Sequence, residues 1–155
     1  MGRKLFNRVL LAVDDTECTR KAIDYAKEIL DKNNSSLALL TVIPPTSPAS
    51  YGADPLMGQQ PIIVPEVSEI QQKAATDFLE ELSREFESAS EVFLFTKVGT
   101  IRDEILNTAK EWSSDIIILG NNGRTGFDHL ISGSVSESVI RKAQCPVLVV
   151  PVKCD

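Results

Sequence analysis

Five short apolar runs alternate along the chain with stretches whose apolar residues recur at helical spacing, and this rhythm leaves few possible folds. Val9-Leu10-Leu11-Ala12-Val13 is the first run and ends at Asp14-Asp15-Thr16. The others are Leu37 to Ile43, Val92 to Val98, Ile116-Ile117-Ile118-Leu119, and Val147 to Val152. Between them lie four helical patterns. Ala22, Ile23, Ala26, Ile29 and Leu30 mark the first, with Thr16 or Asp15 as its N-cap. Val67, Ile70, Ala74, Phe78, Leu82 and Phe86 mark the second, longer helix. Thr100 to Asp103 resembles a capping box opening a third, whose apolar face is Ile101, Ile105, Leu106 and Ala109. Ser134 to Ala143 gives the fourth, with Val135, Val139, Ile140 and Ala143 on one face.

Strands apolar on both faces and separated by helices imply a parallel sheet covered on both sides. Right-handed crossovers then predict an open, doubly wound α/β domain of five strands in the order 3-2-1-4-5. The third run is less purely apolar and belongs nearer an edge. In such a sheet a ligand binds beyond the carboxyl ends of the strands, where the winding reverses between strands 1 and 4. Asp14, Val42 and the segment from Gly120 onward become neighbours there. One domain over 1–155 is expected, broken by an insert at 44–65 that holds six of the eight prolines. No helix or central strand tolerates that density, so the insert reads as a surface excursion, or as a lid over the crevice.

Composition removes several classes of function. Twenty-two acidic residues against sixteen basic ones leave a net charge of −6, which argues against a nucleic-acid duplex as partner. No apolar run reaches the roughly 18–20 residues of a membrane span. Met1 to Phe6 leads directly into a strand without a signal-peptide core, so a cytoplasmic protein is expected. Cys18, Cys145 and Cys154 form no C-x-x-C pair and support neither a disulfide framework nor a zinc cluster. His129 is the single histidine, and it reads as a loop residue.

Four of the eight glycines, Gly120, Gly123, Gly126 and Gly133, fall between the fourth apolar run and the fourth helix. A glycine just before a helix bares amide hydrogens that have no intrahelical acceptor. With the helix dipole these make an anion site, and the hydroxyls of Ser134 and Ser136 add donors. Four charge-assisted bonds at roughly 1.5–3 kcal/mol each, less ordering and association costs, are compatible with a dissociation constant on the order of micromolar. The plainer alternative is that the glycines only turn the chain, with Ser134 and Glu137 as a capping box. Two better-known phosphate patterns are missing: no G-x-G-x-x-G follows strand 1, and Gly123-Arg124-Thr125 lacks the lysine of a P-loop.

Gly120, Gly123, Gly133 and Ser134 fit the spacing glycine, two residues, glycine, nine residues, glycine, serine or threonine. By that signature the chain resembles the universal stress protein family. The likeness continues through Val9 to Asp14, Leu39 to Ile43, Val98-Gly99 and Pro146 to Pro151. The resemblance implies an adenine nucleotide alpha hydrolase-like fold and the ATP-binding branch, with ATP, ADP or AMP as ligand. It also implies a homodimer and a role in cytoplasmic stress adaptation. Carried over by position, Asp14 contacts the ribose or adenine, and Ala12, Val42 and Leu119 line the base pocket. Val13, Thr16 and Asn121 fall beside them. Gly120 sits at the ribose, while Gly123, Gly133, Ser134, Val135 and Ser136 hold the phosphates.

Two departures stand out. Asp15 occupies a position where many members have glycine, so Asp14 or Asp15 could meet a phosphate-bound Mg2+ or Mn2+. Asn122 replaces a frequent basic residue, which shifts phosphate contact toward Arg124. The expected dimer forms through the apolar edge strand Val147–Val152. Three rival readings are a slow ATP hydrolase, for which no clear general base is present, a nucleotide-free dimerisation module, and a receiver-type signalling domain. The last is taken to share the strand order and has an acidic pair like Asp14-Asp15, but needs a carboxylate where Val98-Gly99-Thr100 stands. The favoured expectation is a nucleotide-binding regulatory module rather than a dedicated catalyst.

Overall fold

The structure, a computed structural model, describes residues 5–14, 19–45, 65–122 and 135–152. Five strands, β1 (Arg8–Ala12), β2 (Ser36–Ile43), β3 (Val92–Val98), β4 (Ile116–Asn122) and β5 (Val147–Val152), form one sheet in the order β3-β2-β1-β4-β5. Every neighbouring pair is parallel. The helices are α1 (Arg20–Asn33), α2 (Pro65–Ser83), α3 (Ile101–Trp112) and α4 (Val135–Lys142). This is the expected doubly wound α/β sheet. Its order also differs from the 2-1-3-4-5 of receiver domains, so the assumed topological match to that class was mistaken.

Alternation along the strands divides the core into two layers. Val9, Leu11, Leu37, Leu39 and Ile118 face α1 and α2, packing with Ala22, Ile23, Ala26, Leu30, Leu79 and Leu82. Leu10, Ala38, Leu40, Ile117 and Leu119 face the other way, with Ile105, Ala109, Trp112 and Val139 of α3 and α4. Successive side chains of a strand point to opposite faces, so a strand covered twice must be apolar at every position. β1 from Val9 onward and the body of β2 satisfy that. β3 is an edge strand and leaves Phe93 and Leu94 partly exposed.

The helix faces differ from expectation in detail. In α2, Ile70 is 68% exposed and Ala74 is also exposed, whereas Leu79 is fully buried. A stripe read at i+4 advances about 40° around a helix at each step, because four residues exceed one 3.6-residue turn. The series 70, 74, 78, 82 therefore drifts across the helix surface, off the sheet at Ile70 and Ala74 and onto it by Leu82, and Phe86 reaches the core from beyond the helix end. Pro65, counted with the insert, instead opens α2, where its missing N–H costs no intrahelical bond. In α4 the buried positions are Ser136 and Val139, while Val135 and Ile140 are exposed. In α3, Ile101 is exposed, and Thr108 and Trp112 are buried with Ile105 and Ala109.

The expected α1 caps, Thr16 and Asp15, lie outside the described residues; Thr19 directly precedes α1 and its side chain makes no cap bond. The expected α3 capping box is corrected. Thr100 does precede α3 in an extended conformation, yet its side chain makes no cap bond either. Asp103 pairs with Arg102 at 3.0 Å instead of completing a capping box. At their carboxyl ends α1 and α3 close on the left-handed residues Asn34 and Ser113, whose amides bond back to Leu30 and to Ala109 and Lys110.

A charged clasp ties α1 to the segment after α2. Glu85 accepts from Arg20 at 2.7 Å and from Lys27 at 3.2 Å. The Arg20 hydrogen bond, with Lys27 behind it, holds the Glu85 carboxyl below its ordinary range despite some burial. A carboxylate with a lowered folded pKa stabilises above its unfolded pKa and loses that contribution as pH falls through the folded value. Parent and Glu85→Gln should thus differ most at neutral pH and converge in acid. The clasp is largely exposed, so the difference should stay under about 1 kcal/mol and shrink with added salt, as urea midpoints at several pH values would show.

Candidate functional site

The carboxyl end of the sheet gathers the residues singled out at the ends of β1, β2 and β4. The Val13 amide donates to the Leu40 carbonyl at 2.8 Å, prolonging the β1–β2 ladder past Ala12. β1 pairs Ala12 with Leu40 and Leu11 with Ile118. Carried on, this register sets Asp14 level with Val42 on one side and with Asn121 on the other. The winding reverses between β1 and β4, so Asp14 stands at the switch point of the sheet.

Ala12, Val42 and Leu119 fall on one face of the sheet. Leu119 is buried in the layer of α3 and α4, and Ala12 and Val42 pack half-buried against that layer. Val13 turns its side chain into the opposite layer, against α1 and α2. Only its main chain is therefore at hand near Asp14. Gly120 and Asn121 lie inside β4 and not in a loop after it, since the ladder to β5 continues through Gly120↔Val150, Asn121↔Pro151 and Asn122↔Val152. The strand is longer than its apolar run because β5 supplies a partner for polar residues as readily as for apolar ones.

Asp14 is half-buried and held by Thr19. The Thr19 hydroxyl lies 2.7 Å from the Asp14 carboxylate oxygen Oδ1 and 3.1 Å from the Asp14 carbonyl oxygen. The Asp14 amide donates to the same hydroxyl oxygen at 3.2 Å. Thr19 went unnoticed in the sequence, and the only available signal was a threonine five residues after an acidic strand end. At the start of α4, Val135 is exposed and Ser136 is buried. Glu137 of the first turn pairs with Arg141 at 3.2 Å, which offsets a negative charge near the helix amino terminus. Asp15, Thr16, Gly123, Arg124, Gly133, Ser134 and His129 lie outside the described residues, as does 46–64 of the proline-rich insert. Among the described residues no three His, Cys, Asp or Glu side chains cluster as metal ligands. None of the described helices is long and apolar enough to cross a membrane.

A cavity of about 430 Å3 opens at the opposite, amino-terminal edge of the sheet, between the carboxyl ends of α3 and α4. Lys110, Ser114, Asp115, Lys142 and Cys145 are among its lining residues. Asp115 is already engaged, accepting the Asn7 and Arg8 amides at 2.9 Å each. Burial and then the Asp115 charge push the Cys145 thiol up, away from the reactive thiolate. The helix ends facing this cavity present carbonyls, which disfavour an anion. The carboxyl edge is the better candidate for a nucleotide.

The comparisons with known proteins agree on the family. The model of the universal stress protein family matches residues 5–151. Universal stress protein YxiE of Bacillus subtilis is 31% identical over 152 residues, covering 94% of this chain and 99% of the relative. Among solved structures, MJ0577 of Methanocaldococcus jannaschii superposes with a TM-score of 0.77 at 27% identity, covering 97% of this chain and 99% of that one. A universal stress protein of Archaeoglobus fulgidus, solved in complex with dAMP, shares the fold at a TM-score of 0.60 and 19% identity, over 96% of this chain and 99% of its own. With the family model spanning nearly all of the sequence, the chain belongs to the universal stress protein family.

Proposed function

We propose that the chain binds an adenine nucleotide at the carboxyl edge of its sheet and works as a nucleotide-dependent regulatory module in stress adaptation. The observation that carries this reading is the placement of Asp14 at the switch point, on a sheet whose Ala12, Val42 and Leu119 share one face. An adenine ring needs an apolar wall, and the donor groups of adenosine need an acceptor beside it. The A. fulgidus relative solved with dAMP supports the ligand class. The Gly120, Gly123, Gly133 and Ser134 spacing favours a ligand with several phosphates, so ATP is the preferred candidate ahead of ADP and AMP. Arg124 adds a cation to that reading, and Mg2+ or Mn2+ would accompany the phosphates near Asp14 or Asp15.

Acid extraction of the purified protein, followed by identification of released nucleotide and titration calorimetry with ATP, ADP and AMP, tests the reading. Carried nucleotide or a micromolar titration supports it. Protein that releases none and gives no heat with any of the three contradicts it.

The same proposal includes a homodimer. β5 ends the sheet with one edge of its main chain unpaired among the described strands, and such an edge invites a second copy. Sedimentation equilibrium should give twice the chain mass at micromolar concentration. A monomer throughout would remove the dimer without touching the nucleotide site.

A further inference from the structure

Thr19 is in the wrong place to be an ordinary helix cap. It is the residue before α1, it is only 6% exposed, and its backbone is already helical, with φ −73° and ψ −21°. Caps of this chemical type usually turn the side-chain oxygen onto an amide of the first helical turn. Here that bond is missing, and the oxygen is directed at Asp14 instead.

One hydroxyl carries one proton and two lone pairs. The Asp14 amide occupies a lone pair, at 3.2 Å. The proton has two acceptors within reach, the Asp14 carbonyl at 3.1 Å and carboxylate Oδ1 at 2.7 Å. The shorter contact is to the charged oxygen, as charge-assisted bonds between hydroxyl and carboxylate are. Thr19 thus grips both the main chain and the side chain of the same residue. That leaves Asp14 little freedom about its first side-chain torsion, and a buried β-branched side chain is a stiff partner for the task.

We propose that Thr19 is a positioning residue that fixes the Asp14 carboxylate toward a bound nucleoside, an inference that rests on the nucleotide reading above. A carboxylate can only accept hydrogen bonds, so it recognises the donor groups of adenosine: the ribose hydroxyls or the exocyclic amine. Thr19 sets the direction in which that acceptor points. Its contribution is to orientation.

The experiment measures affinities of the full chain for ATP, for 2′,3′-dideoxy-ATP and for ITP, in the parent, Thr19→Val and Thr19→Ser. Valine keeps the branched shape and removes the hydroxyl; serine restores it. Thr19→Val should weaken ATP binding about tenfold, the scale of one hydrogen bond to a charged group, and Thr19→Ser should recover most of that. The valine penalty should fall away with whichever analogue lacks the donor that Asp14 reads: the dideoxy analogue if it reads the sugar, ITP if it reads the amine. Thermal melts of the three proteins show whether each folds. Two results overturn the inference: Thr19→Val binding ATP as the parent does, or Thr19→Val and Thr19→Ser weakening all three ligands equally. A parent that binds none of them defeats the nucleotide reading itself, a different outcome from either.

Discussion

Leu11→Ala should destabilise the protein by about 2–5 kcal/mol, the cost of truncating a fully buried leucine. Leu11 is 0% exposed and stands on β1, the central strand, with β2 hydrogen-bonded on one side and β4 on the other. Its layer mixes small side chains such as Ala22 and Ala26 with large ones such as Leu30, Leu37 and Leu39, and such a packed core relaxes only in part around a truncated leucine. The backbone cannot collapse into the space left, because both neighbouring ladders fix the strand. A loss of this size is a large part of the roughly 5–15 kcal/mol that holds a typical domain together. Ile70→Ala is the matched control. Although isoleucine is just as apolar, Ile70 is 68% exposed on α2, and its truncation should change stability by no more than about 0.5 kcal/mol. Urea unfolding separates the two, with the midpoint falling sharply for Leu11→Ala at a nearly unchanged slope. Equal midpoints would mean that β1 is not the centre of the core.

The contrast between Leu11 and Ile70 also marks where the sequence was legible. Strands buried on both faces need no phase: every residue of Val9 to Val13 is apolar, so their place at the centre of a parallel sheet follows from composition alone. Strand order came from the handedness of the crossovers, which follows from chain chirality. Helix faces depend on phase, and a reading at i+4 accumulates error with every turn, which is why Ile70 and Ala74 were assigned to the core and Leu79 was overlooked. The α3 capping box failed for a different reason. Asp103 had a nearer polar partner in Arg102, and such local competition is decided by geometry that spacing does not encode. The extension of β4 through Gly120 and Asn121 likewise depended on its partner strand.

Asp14 and Val42 could be set side by side from the sequence because parallel strands of known order bring their carboxyl ends together, whereas Ala12 and Leu119 came from the family resemblance. Thr19 could not be placed with them, since nothing in the spacing shows that its hydroxyl meets the Asp14 carboxylate. That contact is decided by three-dimensional geometry, even though the two residues are near in sequence.

Gly123→Val and Gly133→Val should each weaken ATP binding at least about a hundredfold while leaving the thermal midpoint within a few degrees of the parent. If the main-chain amides of this stretch hold phosphate oxygens, a branched side chain removes contacts worth roughly 1.5–3 kcal/mol apiece, and two lost together account for the fall. The effect should grow with the number of phosphates, so AMP affinity should suffer least. Thr19→Val, which acts through Asp14 at the nucleoside end, should instead weaken AMP and ATP by similar factors. The two sets of variants therefore divide the ligand into a polyphosphate end and a nucleoside end. Calorimetry with AMP, ADP and ATP reads the division directly. Parent-like ATP affinity in both glycine variants would show that the glycines only turn the chain, and any nucleotide binding would then rest on the nucleoside end alone.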